Sequence, residues 1–239
     1  MKQMENIKHI FKKEFKTYFV SPIAYIVISI FLLVIGWLFF STFFLSGQAS
    51  LTRFFMLLPI TFAFIIPAVT MRLFSEEMNV GTYEILLTLP VTFRDIIMGK
   101  FLAASAFVAI MLSPTIFYAI TTTLLGKLDW GPVIGGYIGA LLLGAAFCAI
   151  GLLASTLSRN QVIAFIIGML ICFSLTLLVD YGLYLLLPET WVKTFQYLSA
   201  NYHFQNIAKG VVDSRDILYF LSVMFVALYG ANLIMQEKK

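Results

Sequence analysis

The chain has 239 residues, 61% of them hydrophobic and 12% charged, whereas a soluble domain is about half apolar and a quarter charged. Its apolar runs are long and helical in period, which excludes an outer-membrane barrel and predicts an all-α polytopic membrane protein occupying 1–239 as one transmembrane domain. The net charge of +4 gathers at Lys2, Lys8, Lys12, Lys13 and Lys16, beside the first apolar run, where basic residues set topology; the partner they imply is a lipid bilayer and not nucleic acid.

Residues 1–20 read as an amphipathic interfacial helix. Ile7, Ile10, Phe11, Phe15, Tyr18 and Phe19 recur at spacings of three and four between lysines whose stems snorkel to headgroups. Six spans follow, at 22–46, 54–71, 99–125, 132–157, 162–187 and 217–235. Pro59 and Pro67 interrupt the second and Pro114 the third. In the fourth, Gly136, Ala140, Gly144 and Cys148 recur every four residues and leave a helix face bare enough for close packing. Cys148 and Cys172 sit mid-run and read as small buried hydrophobes, not a disulfide or a metal site.

Between the fifth and sixth spans, 188–216 is too polar to cross a membrane. It is dense in aromatics (Trp191, Phe195, Tyr197, Tyr202, Phe204), as membrane edges are. Asn201 to Lys209 is predicted as a short helix stopped by Gly210, and Asp213 with Asp216 as an N-cap pair for the last span. Six spans put both termini on one side. With the N-terminus inside, eleven of the 16 basic residues are cytoplasmic and five are outside, so both termini and the loop 72–98 are expected in the cytoplasm, and 188–216 outside.

Catalytic signatures are missing. The only Gly-Lys pairs, Gly99-Lys100 and Gly126-Lys127, lack the earlier glycine and the following hydroxyl of a P-loop. No His-Glu-x-x-His occurs, and His9 and His203 stand alone in different compartments. No catalytic or metal-binding residue is expected. Asp180, near the outer end of the fifth span, has two open readings: an interfacial acid, or a buried acid in a path or interface.

The stretch from Arg72 to Lys100 carries seven of the chain's charges between two apolar runs. Ser75 is predicted to cap a helix with Glu76 and Glu77 in its first turn. Gly81 interrupts that helix; Thr82 and Glu84 begin a second turn with Ile85, Leu86, Leu87 and Leu89, which Pro90 stops. Ser75 to Gly81 forms a charged contact and Thr82 to Pro90 an apolar turn leading to the third span. A solvated loop on the headgroups and a transverse helix offered to a cytoplasmic partner are both compatible with this pattern.

The string Arg-x-Phe-Ser-Glu-Glu-x-x-x-Gly-Thr-x-Glu-x-Leu-Leu-Thr-x-Pro-Val, from Arg72 to Val91, closely resembles the signature of type-two ABC permeases. Within that family, His203-Phe204-x-x-Ile207-x-Lys209-Gly210-Val211-x-Asp213-x-Arg215-Asp216 is most similar to the gliding-motility-associated permease subunit. The resemblance implies a bacterial inner-membrane exporter-type permease working as a dimer, with itself or with a related subunit, and with a separate cytoplasmic ABC ATPase. ATP and Mg would be bound by that partner, leaving no cofactor in this chain. The ATPase would dock on a cytoplasmic coupling region comprising Arg72, Ser75, Glu76, Glu77, Gly81, Thr82, Glu84 and Leu87. The segment 188–216 would be membrane-dipping and could meet an auxiliary envelope protein. The alternative function is a scaffold that transmits force without transporting anything.

Overall fold

The computed structural model describes residues 2–46, 48–82, 91–177, 196–211 and 213–238, and all regular structure among them is helical. In chain order the helices are α1 (Lys2–Val20), α2 (Pro22–Ser46), α3 (Thr52–Thr70), α4 (Arg72–Val80), α5 (Phe93–Leu112), α6 (Ile116–Leu125), α7 (Trp130–Leu157), α8 (Gln161–Phe173), α9 (Ala200–Ala208) and α10 (Ser214–Glu237). Among the described residues, five continuous stretches are long and apolar enough to cross a membrane: Pro22–Leu45, Thr52–Val80, Phe93–Leu125, Trp130–Leu157 and Ser214–Glu237. The fifth of the six expected spans is described only as the shorter helix Gln161–Leu177, and 178–187 lie outside the described residues.

Local chemistry sets where these helices begin. α5 starts at Phe93, six residues before the expected Gly99, because Thr92 and Asp95 form a reciprocal capping box. The Asp95 N–H donates to Thr92 Oγ1 at 3.3 Å and the Thr92 N–H to Asp95 Oδ2 at 3.2 Å, so two amides without helical partners are satisfied at once. Asp129 caps α7 by accepting from the Gly131 N–H at 3.0 Å, and Asp213 caps α10 by accepting from the Arg215 N–H at 3.0 Å. Pro114 is absorbed by a 3₁₀ turn, Ser113–Thr115, between α5 and α6, the local adjustment by which a spanning helix tolerates proline.

The central helix is α7, packed by α3, α5, α8, α9 and α10. Its small residues meet ring and methyl surfaces of this same chain. A Cβ at Gly136 would lie 2.4 Å from the Phe55 ring and one at Gly144 2.7 Å from Val108 Cγ1, while Ala140 and Cys148 are fully buried. Large apolar side chains stay exposed on α2 (Leu33, Trp37, Phe44) and α10 (Leu218, Phe225, Val226), as expected where hydrocarbon is the solvent. α1 packs lengthwise along the start of α5. Ile10 lies against Gly99, and Tyr18 stacks on Phe107 at 5.0 Å, so the contacts advance by the same number of residues on both helices. Lys8, Lys12, Lys13 and Lys16 remain exposed.

Candidate coupling site

The first half of the charged stretch does not begin a new helix. No glycine or proline lies between Thr70 and Val80, and the Met71 N–H donates to the Pro67 carbonyl at 2.9 Å. α3 and α4 therefore run on as one rod, Thr52–Val80. The N-cap expected at Ser75 is corrected by this continuity. Ser75 is fully buried inside α4 and its hydroxyl donates back to the Met71 carbonyl, a bond that serines inside helices commonly make. Leu73, Phe74 and Met78 are buried with it. Gly81, at φ +81°, ends the rod in the left-handed conformation, which glycine adopts without steric cost.

The two adjacent acids part company. Glu76 is exposed, together with Asn79, Val80, Gly81 and Thr82, whereas Glu77 turns inward to Lys100. The Lys100 side chain is only 1% exposed. Its ammonium donates to Glu77 Oε1 at 2.8 Å, to the Leu73 carbonyl at 2.7 Å and to Glu14 Oε1 at 3.2 Å. All three ammonium donors are thus used, as a buried charge requires. The same ammonium lies 5.1 Å from the centre of the Phe74 ring. One cation thereby joins α1, α4 and α5.

Arg72 is half-buried and holds its guanidinium 5.8 Å from the centre of the Tyr18 ring. Burial, assisted by Cys148 and by the Glu14 carboxylate, pushes the Tyr18 phenol far above its ordinary range. An open cleft of about 460 Å³ separates α1 from α4, lined by Lys13, Glu14, Arg72, Glu76, Glu77 and Thr82 among others. On the other flank of α4, the Lys238 ammonium donates to the Thr156 carbonyl at 2.6 Å and lies 3.7 Å from Met78 Sδ. Desolvation, with Arg159 nearby, lowers that amine's pKa.

The far end of α10 holds a second buried polar pair, and His203 does not stand alone. Its Nδ1 lies 2.6 Å from Asp216 Oδ1 and its Nε2 3.0 Å from the Tyr197 carbonyl, while its ring stacks on Tyr219 at 4.1 Å. Asp216 therefore pairs across to α9, and Asp213 alone supplies the side-chain cap of α10. Gly210, at φ +88°, packs against Gly131 and Pro132, and the Ile207 carbonyl covers Gly135. His203, Phe204, Ile207, Gly210, Asp213 and Asp216 thus belong to one cap over the start of α7.

Of the sequence-predicted coupling residues, the structure brings Arg72, Ser75, Glu76, Glu77, Gly81 and Thr82 to one end of the bundle. Glu84, Leu87 and Asp180 lie outside the described residues. Sequence reasoning missed Lys100, Glu14 and the His203–Asp216 pair. A lysine bounded by Ile96, Ile97 and Phe101, and an acid on the apolar side of α1, were the available signals. Among the described residues no group of three or more metal-ligating side chains occurs. Residues 8–204 match the profile described as ABC-2 family transporter protein. No curated protein matches the chain.

Proposed function

Because the chain belongs to the ABC-2 transporter family, whose members are membrane permease components that generally work with a cytoplasmic ABC ATPase, we propose that it couples ATP hydrolysis by such a partner to export. The observation that carries this reading is the rod Thr52–Val80, an apolar helix whose last turn leaves Glu76, Asn79 and Val80 exposed. A push on that turn moves the spanning part of the same helix without a hinge. ATP and Mg belong to the ATPase, the charge distribution favours both termini in the cytoplasm of a bacterial inner membrane, and two permease chains form the working unit. Two states can be driven by nucleotide only if they differ in affinity for the loaded partner.

Glu76→Lys or Glu84→Lys is expected to abolish co-purification of the ATPase while the spans stay folded. An ATPase that still binds and responds normally overturns the docking assignment.

A second reading, a force-transmitting scaffold in an envelope machine such as a gliding apparatus, is favoured by the cap at 197–216. Tyr197, Leu198 and Val211 are exposed there, a surface suited to an auxiliary envelope protein. ATP-driven movement of a solute or lipid into vesicles by the purified complex would exclude the pure scaffold.

A further inference from the structure

We propose that Lys100 is the positioning residue through which displacement of α4 reaches α1 and α5, a role that rests on the coupling reading above. Three observations converge on it. The ammonium is buried at the floor of the cleft between α1 and α4, with a side chain only 1% exposed, so it acts through the neighbours that it holds. Its acceptors come from two other helices, Glu14 on α1 and both Glu77 and the Leu73 carbonyl on α4, so α4 cannot move away from α5 without stretching a charge-assisted bond. One ammonium also faces two carboxylates, and Glu77 Oε2 is buried without a hydrogen-bond partner. Neither acid can be released without leaving the other as the sole counter-charge.

The tie also assigns the Glu76-Glu77 doublet. Glu76 faces outward to a docking partner, and Glu77 faces inward to carry the displacement. A partner that moves α4 changes the environment of α5 by way of Lys100, and that of α1 by way of Glu14. Contiguity alone is a weak warrant for coupling, so the test must separate binding from transmission.

The complex of the tagged chain with its co-purifying ATPase is reconstituted in nanodiscs, with a single cysteine introduced by Val211→Cys at the exposed far end; Cys148 and Cys172 are buried. Thiol labelling is compared between the nucleotide-free and the ATP–vanadate-trapped complex. In the otherwise wild-type chain the labelling rate changes on trapping. With Lys100→Met the ATPase still binds and hydrolyses ATP, but the nucleotide-dependent change shrinks about tenfold, within the range of ordinary coupling free energies. The charge-swapped pair Lys100→Glu with Glu77→Lys, which returns a cation to face two carboxylates, restores most of it.

An undiminished change in Lys100→Met overturns the proposal. If that variant does not fold, the charge-swapped chain decides, and a folded swap without the change overturns it as well. An ATPase that fails to bind the wild-type chain removes the coupling reading itself. An ATPase that binds Lys100→Met without transmission leaves that reading standing and supports the tie.

Discussion

The Lys100 cluster and the His203–Asp216 pair sit at opposite ends of α10, whose 24 residues span roughly 36 Å, and they are built on different principles. The Lys100 cluster joins three helices, with ion-pair partners 86 and 23 residues away. The His203–Asp216 pair joins two neighbouring helices across 13 residues. If Lys100 is removed, Glu14 and Glu77 face each other with no helix N-terminus to compensate. If His203 is removed, Asp216 remains in the first turn of α10, where unpaired amides and the helix dipole favour a carboxylate. The first cluster depends on its cation; the second retains local compensation on one side.

That asymmetry can be broken by measurement. Thermal unfolding in detergent, followed by dye labelling of the buried Cys148 and Cys172, should show the largest loss for Lys100→Met. The expected cost is about 3 kcal/mol, near the lower bound for breaking a buried pair, since the two acids are partly exposed. His203→Ala should cost about 2 kcal/mol, from the lost hydrogen bond to Asp216, the lost bond to the Tyr197 carbonyl and the lost stacking on Tyr219. A larger loss at His203 than at Lys100 would reverse the comparison. Within the first cluster, Glu77→Gln should cost about 1.5 kcal/mol and Glu14→Gln less, following their 2.8 and 3.2 Å bonds to the ammonium.

The smallest effect concerns Asp213. Its carboxyl is held below the ordinary 3.8 first by the Arg215 N–H, with the Arg215 charge and the Ser214 hydroxyl assisting. A depressed folded-state pKa means that the cap is fully present above pH 3.8 and is lost as the pH falls through the lower folded value. Hydrogen exchange at the Arg215 amide, corrected for intrinsic pH dependence, should therefore lose protection below that pH and be insensitive between 5 and 8.

Much of the fold was legible because apolar run length and capping residues act locally. The cap at Asp213 and the stop at Gly210 were read from two or three residues each. The continuity of α3 and α4 was not, because Arg72 signals departure from hydrocarbon while nothing in its neighbourhood breaks a helix; backbone continuity won over the change in polarity. Ser75 followed by two glutamates has the pattern of an N-cap, yet that pattern matters only where a helix begins. The inward turn of Glu77 was hidden for a different reason. Its cation lies 23 residues on, across 83–90, and hydrophobic periodicity counts a buried lysine as polar. His203 and Asp216 were each noticed, but whether a histidine has a partner is decided by a turn geometry that composition does not encode.

A quieter contact constrains how the bundle can rearrange. A Cβ at Gly151 would lie 1.9 Å from Thr70 Oγ1, so that hydroxyl occupies the notch left by a missing side chain, at the junction where α3 passes into α4. Such a notch acts as a detent. Axial sliding of one helix past the other would carry the Thr70 side chain out of the notch toward the side chains one turn away on the same face of α7, whereas a tilt about the notch disturbs the fit less. The close fit at Thr70 therefore restricts how the rod Thr52–Val80 can shift along α7.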